Sequence, residues 1–118
     1  MGNEAHHATW TTYQDAWADV TPAERQSLLS RSVAEDCVFA DPSTEGHGLK
    51  ALTAHIEQFQ KLYPGASFKT PKLPEHHGQA LAEWKMYGKD GAELSSGTSF
   101  ARFGEDGRLT HLIGFFET

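Results

Sequence analysis

The strongest constraint on this chain lies in its last third. Two segments, Gly88-Lys89-Asp90-Gly91 and Gly104-Glu105-Asp106-Gly107, are turn sequences bracketed by glycine. Around them run alternating segments at 79–87, 93–103 and 108–117. Strands joined by such short turns pair as an antiparallel meander. Residues 66–73 read as a further strand, and Pro71 and Pro74 place it at an edge.

The first half is patterned for helices. Trp10, Tyr13 and Trp17 fall on one helical face, predicting a helix over 8–19. Thr21-Pro22 with Glu24 is a cap, a first-turn proline and a first-turn acid, so a second helix is expected from Pro22 to about Ser32. It would bury Leu28, Leu29 and Val33. Residues 36–41 form a short β-prone run ended by Pro42, with Cys37, Phe39 and Asp41 on one face. Residues 43–48 read as a turn-rich loop. Leu49, Leu52, Ile56, Phe59 and Tyr63 make the stripe of a third helix, stopped by Pro64-Gly65. Helices first and strands after define an α+β class, with one domain expected over 1–118.

If each glycine-bracketed turn is a two-residue loop, Gly88 faces Gly91 and Gly104 faces Gly107. Trp84 then faces Ser95, and Ser99 faces Leu112. One sheet face collects Ala80, Ala82, Trp84, Met86, Gly97, Ser99, Ala101, Leu112, Gly114 and Phe116. Its centre is small and its edges are large. Small residues there serve either close helix packing or a cavity for a small molecule. The opposite face mixes Tyr87, Leu94, Phe100, Ile113 and Phe115 with Glu83, Lys85, Arg102 and His111. It is too apolar for water and too polar for a core, which suits a homodimer interface.

Composition narrows the partners. Ten Lys and Arg stand against sixteen Asp and Glu, a net charge of −6. With no basic run, no nucleic-acid or anionic-membrane partner is expected. No apolar stretch reaches the roughly 18 residues of a membrane span. The start lacks the pattern of a secretory signal, and the single cysteine, Cys37, suits a reducing compartment, so a cytoplasmic location is expected. No phosphate loop, dinucleotide fingerprint or serine elbow occurs, so no cofactor is expected. His76 and His77 are adjacent on an extended segment and should point apart, and no metal site is expected.

In order and spacing, several motifs resemble the nuclear transport factor 2-like superfamily, specifically its SnoaL-like and ketosteroid-isomerase-like group. They are Tyr13-x-x-Ala16-Trp17, Val38-Phe39-Ala40-Asp41-Pro42, Gly46-His47-Gly48 before a long helix, and Gly97-Thr98-Ser99-Phe100-Ala101-Arg102-Phe103 followed by Asp106-Gly107-Arg108-Leu109. The resemblance spans nearly the whole chain. It implies a cone-shaped curved antiparallel sheet wrapped around the long helix, preceded by two helices, with a pocket inside and a dimer through the outer face. It further implies Asp41 as a general base and Tyr13 as a donor to a developing oxyanion. The group's second oxyanion donor, a carboxylic acid, falls at Ser99, which departs from the pattern.

On its own terms, Asp41 is either a base on an interior strand face or a cap before the third helix. Were it interior with no cation on the inner sheet face, its pKa would rise. His55, on the flank of the helix stripe, is either a pocket acid–base or a helix-edge residue. Cys37 is either a nucleophile beside His55 or a small buried apolar group. The expected catalytic set is Asp41, Tyr13 and His55. The expected ligand wall is Trp17, Phe39, Ile56, Phe59, Trp84, Met86, Ser99, Leu112 and Phe116. These residues lead to two functional expectations. One is cofactor-free isomerase, cyclase or dehydratase chemistry on a small apolar carbonyl compound. The other is a non-catalytic ligand carrier or sensor, or a dimeric interaction module.

Overall fold

The computed structural model describes residues 4–117, which form three helices and seven strands. Helix α1 (Glu4–Asp15) buries Trp10 and Tyr13. Trp17 lies just beyond it, in a turn. Arg25 of α2 (Pro22–Ser32) holds that turn. Its guanidinium is buried without a carboxylate and donates to the Ala16, Ala18 and Val20 carbonyls at 2.9, 3.0 and 3.4 Å. Carbonyls beyond a helix C-terminus have no intrahelical N–H to accept from, and a guanidinium with its five N–H donors can serve several of them at once. Thr21 and Glu24 form a reciprocal capping box at the start of α2.

Helix α2 ends at Ser32, and Val33, expected to be buried beside it, is fully buried and opens strand β1 (Val33–Asp41). The segment read as a loop over 43–48 contains strand β2 (Thr44–His47), which folds back on β1. Helix α3 (Leu49–Leu62) follows, burying Leu52 and Ile56. Strands β3 (Ser67–Lys72), β4 (Glu75–His76), β5 (Gln79–Tyr87), β6 (Glu93–Phe103) and β7 (Leu109–Phe115) complete the sheet. Its order is β2-β1-β7-β6-β5-β3, with β4 on β5. The sheet is mixed rather than wholly antiparallel, because β1 runs parallel to β7. The long connection through α3 and the meander permits that pairing, since a parallel pair needs a crossover.

The hairpin registers differ from the two-residue-loop expectation, and the reason is local. The N–H of Gly88 bonds to the Ala92 carbonyl, and that of Gly104 to the Arg108 carbonyl, so each loop holds three residues. Gly91 and Gly107 sit at φ 86° and 85°, the left-handed position that ends such a loop. A bulge then follows in each hairpin, between Met86 and Tyr87 and between Arg102 and Phe103. Loop and bulge each add one residue, so the register moves by two. Trp84 faces Gly97 rather than Ser95, and Ser99 faces Gly114 rather than Leu112. A shift of two preserves parity, so the sheet faces stand as read from the sequence. Ala80, Ala82, Met86, Ala101 and Leu112 are buried, while Leu81 and Phe115 are exposed. Leu94 is the exception: beside the first bulge it turns to the mouth of the inner cavity.

Gly97 shows why the inner face is small at its centre. A Cβ there would lie 2.3 Å from the Trp84 ring and 2.6 Å from the Phe115 carbonyl. The missing side chain is the space in which the indole lies.

Candidate active site

Between α1, α3 and the concave sheet face lies a cavity of about 820 Å³. Aromatic rings wall it. Trp17 meets Phe59 and Phe68 edge-on at 5.3 and 5.7 Å, Phe68 meets Trp84 at 5.3 Å, and Trp84 meets Phe116 at 6.1 Å. Such rings supply apolar surface for a ligand of a few rings. Leu62, Tyr63, Leu94 and Ser43 are exposed lining residues and mark the mouth; Trp10, Tyr13, Leu52 and Leu112 are buried and mark the depth.

Into this apolar space β1 delivers one carboxylate. Asp41 is the last residue of the strand, and its Oδ1 accepts from the Ser43 N–H at 2.7 Å and the Ser43 hydroxyl at 2.6 Å. These bonds fix the turn and the rotamer together. Its Oδ2 lies 3.0 Å from His55 Nε2. The two side chains are only 16% and 20% exposed. Phe39 stacks on the imidazole at 6.1 Å, and Trp17 meets it edge-on at 5.6 Å.

The electrostatics of Asp41 correct an expectation. Burial pushes its pKa upward, and that is the largest single influence. The His55 and Ser43 hydrogen bonds together outweigh it, and the pKa ends below the ordinary carboxylate value. The sequence reading looked for a cation on the sheet; the partner comes from the helix facing it. An ionised Asp41 can only accept, so His55 Nε2 carries the proton and donates it. In the neutral ring Nδ1 is then left with its lone pair, and it has no hydrogen-bond partner among the described residues. Asp41 orients the ring through Nε2, and Nδ1 is the nitrogen left without a partner.

Tyr13 lines the same cavity from α1. Burial drives its phenol pKa well up, the Trp17 indole pulls the other way, and Cys37 and Asp41 add small upward pushes. The hydroxyl therefore stays a neutral donor. Ser99 accepts a hydrogen bond from Trp84 Nε1 at 3.0 Å. An indole N–H only donates, so the serine proton is directed elsewhere. A Cβ on Gly114 would lie 3.4 Å from both Ser99 Oγ and Asp41 Cβ, so these two residues flank one glycine.

Of the expected wall, Trp17, Phe39, Phe59, Trp84, Met86, Ser99, Leu112 and Phe116 line the cavity. Ile56 does not: it is fully buried in the core cluster with Leu29 and Val33. Cys37 is 1% exposed and sits in the core as a small apolar group. Burial pushes its thiol up to about 12, and Sγ lies 3.6 Å from the Val38 carbonyl. His76 and His77 do not point apart, because His77 takes φ 53° and the two Nδ1 atoms approach to 3.0 Å. No cluster of three metal-ligating side chains occurs among the described residues.

The sequence reading missed Phe68, Trp10, Gln14 and Thr70, all of which line the cavity. Phe68 pairs with the inner-face Met86, so the parity of β3 carries Phe68 and Thr70 inward. That signal was present but masked by the prolines near the strand end.

A curved sheet closed over a helix around an internal cavity defines the class: a nuclear transport factor 2-like, or cystatin-like, fold. The chain belongs to the SnoaL-like domain family, whose pattern matches residues 10–112. A SnoaL-like family protein of Agrobacterium tumefaciens, named as a candidate isomerase, superposes with TM-score 0.87 at 25% identity, covering 97% of this chain and 98% of that one. A candidate polyketide cyclase of Sinorhizobium meliloti superposes at 0.73 with 19% identity, covering 91% and 93%. A candidate SnoaL-like polyketide cyclase of Jannaschia superposes at 0.79 with 8% identity, covering 96% and 85%. The last two establish shared fold alone. No curated protein matches the chain by sequence. No helix among the described residues is long and apolar enough to cross a membrane.

Proposed function

We propose that this chain catalyses cofactor-free proton transfer on a small, mostly apolar carbonyl compound. The observation that carries this reading is the Asp41–His55 pair, placed at 3.0 Å on the wall of an aromatic cavity. His55 Nδ1 takes a proton from the carbon beside the carbonyl. The electron pair left behind moves onto the carbonyl oxygen, where Tyr13 donates a hydrogen bond. The imidazolium that forms is held by ionised Asp41. Where the substrate has a β,γ double bond, the enolate is a dienolate, and return of the same proton to the γ carbon gives an isomerase; where the β carbon bears a leaving group, the enolate expels it with the bonding pair, as in a dehydratase or lyase. The likeness to a protein named as a candidate isomerase agrees with this class, although the fold alone hosts many functions.

Deuterium exchange tests it. A panel of tetralones in D2O, followed by proton NMR, should lose its α-proton signals faster with the protein than with buffer. Exchange should fall with Asp41→Asn and fall further with His55→Ala. A panel that binds, by tryptophan quenching, yet exchanges at the buffer rate sinks the catalytic reading and leaves a carrier.

We further propose that two copies pair through the outer sheet face. Phe115 is 61% exposed there and Leu81 50%, flanked by Glu83, Lys85 and Arg102, charges of both signs that a two-fold axis can match. Light scattering at micromolar concentration should give twice the chain mass, and Phe115→Lys should return it to one. A monomeric wild type ends this proposal.

A further inference from the structure

A second polar device lines the cavity, made by three residues from α1 and β3. Trp10 Nε1 donates to Thr70 Oγ1 at 2.9 Å. Thr70 Oγ1 in turn bonds Gln14 Oε1. An indole N–H can only donate, so Thr70 accepts from Trp10 and its own proton remains free to donate. That proton goes to the Gln14 carbonyl oxygen, which can only accept. The glutamine amide is thereby turned so that its NH2 group is the end left over. That group has no hydrogen-bond partner among the described residues. Trp10, Gln14 and Thr70 all border the cavity.

None of these three residues takes part in the proton transfer proposed above. Gln14 stands one helical turn before Trp17, whose indole meets His55. The Gln14 relay is anchored on β3 and the acid–base pair on β1, with β7, β6 and β5 between them in the sheet, so the two polar groups border the cavity from separate sides. Gln14 is half-buried, and its NH2 group is a donor that an acceptor on a bound ligand can take up. We propose that Gln14, held by the Trp10–Thr70 relay, is a specificity residue that binds an acceptor oxygen of the ligand remote from its reacting carbon. The substrate class is then an apolar body with two oxygens: the carbonyl at the reacting end, and an ether, hydroxyl or second carbonyl at the other. This inference rests on the cavity being a ligand site, as proposed above.

Two probes of equal shape separate the cases. In 6-methoxy-2-acetylnaphthalene the remote group carries an oxygen, and in 6-ethyl-2-acetylnaphthalene a methylene replaces it. Binding of each is read by quenching of tryptophan fluorescence. The ratio of the two dissociation constants should move against the methoxy compound by about fivefold in Gln14→Met, the worth of one neutral hydrogen bond. Gln14→Glu keeps an acceptor for Thr70 and puts a carboxylate oxygen where the NH2 stood, an oxygen that repels an acceptor on the ligand, so it should shift the ratio at least as far. A variant that merely loosened the helix would weaken both probes alike. An unchanged ratio in both variants overturns the role of Gln14 and leaves the cavity reading standing. Failure of both probes to bind the wild type overturns both readings, and an ethyl compound that binds as tightly as the methoxy compound overturns the role of Gln14 alone.

Discussion

His55 and Asp41 meet at 3.0 Å on the cavity wall, and His6 and Glu75 meet at 2.6 Å near the start of α1. Each pair joins a helix to the end or edge of the sheet, and each carboxylate is largely withdrawn from water. Their remaining atoms differ. Asp41 satisfies its second oxygen twice over through Ser43, and its histidine borders the cavity with Nδ1 unpartnered among the described residues. Glu75 is 4% exposed at its side chain, and its Oε1 has no partner among the described residues. His6 lies flat on Phe103, with ring centroids 4.0 Å apart and 7° between planes. The first pair is complete without its histidine's outer nitrogen; the second is closed around a carboxylate already short of partners. The same two side-chain types thus serve a site in one place and a clamp in the other, according to what surrounds them.

The largest effect should come from breaking the first pair. His55→Ala should slow proton exchange by about a thousandfold, within the usual range for loss of an acid–base group. His6→Ala should leave the exchange rate per folded molecule unchanged, as read in the same NMR assay. If His6→Ala slows exchange as much as His55→Ala, the two pairs are not functionally distinct.

Next in size is stability. His6→Ala strips a buried carboxylate of its hydrogen-bond partner, at a cost of about 2 kcal/mol. Glu75→Gln should cost less, because no charge is then left to be solvated. Urea midpoints order the two variants; the reverse order would show that the buried Glu75 carboxylate does not depend on His6.

The smallest effect is the pH dependence of Asp41. Its pKa in the folded chain is lower than in the unfolded one. The unfolded chain therefore binds the proton more readily, and the carboxylate contributes stability above about pH 4, the usual aspartate value. That contribution is lost as the pH falls through the folded value. Asp41→Asn should thus be slightly less stable than wild type at pH 7, with the gap closing in acid. This reverses what a raised pKa would have produced. An Asn variant more stable at neutral pH would mean that desolvation, and not the His55 and Ser43 bonds, governs this carboxylate.

Much of this was legible in residue order. Parity on β5, β6 and β7 separates Trp84, Ser99 and Phe116 from Phe100, Ile113 and Phe115, and it survived a register error because loop and bulge together add an even number. The helical stripe located α3 but not its rotation. Leu52, Ile56 and Phe59 are equally apolar, so nothing in the pattern says that Ile56 turns to the core while His55 reaches the cavity. Strand β2 was unreadable in Thr44-Glu45-Gly46-His47, whose pairing depends on β1 rather than on its own propensity.

By itself the sequence determined the elements, the two faces of the meander and the small centre of the inner one, because alternation and helical spacing are local properties of the chain. Only the tertiary structure decided that Asp41 meets His55, that Thr70 bridges Trp10 to Gln14, and that Glu75 closes on His6. Each of these contacts joins residues distant in sequence, through a few degrees of helix rotation and a single rotamer. A carboxylate's pKa follows from those neighbours, so its direction was decided there as well.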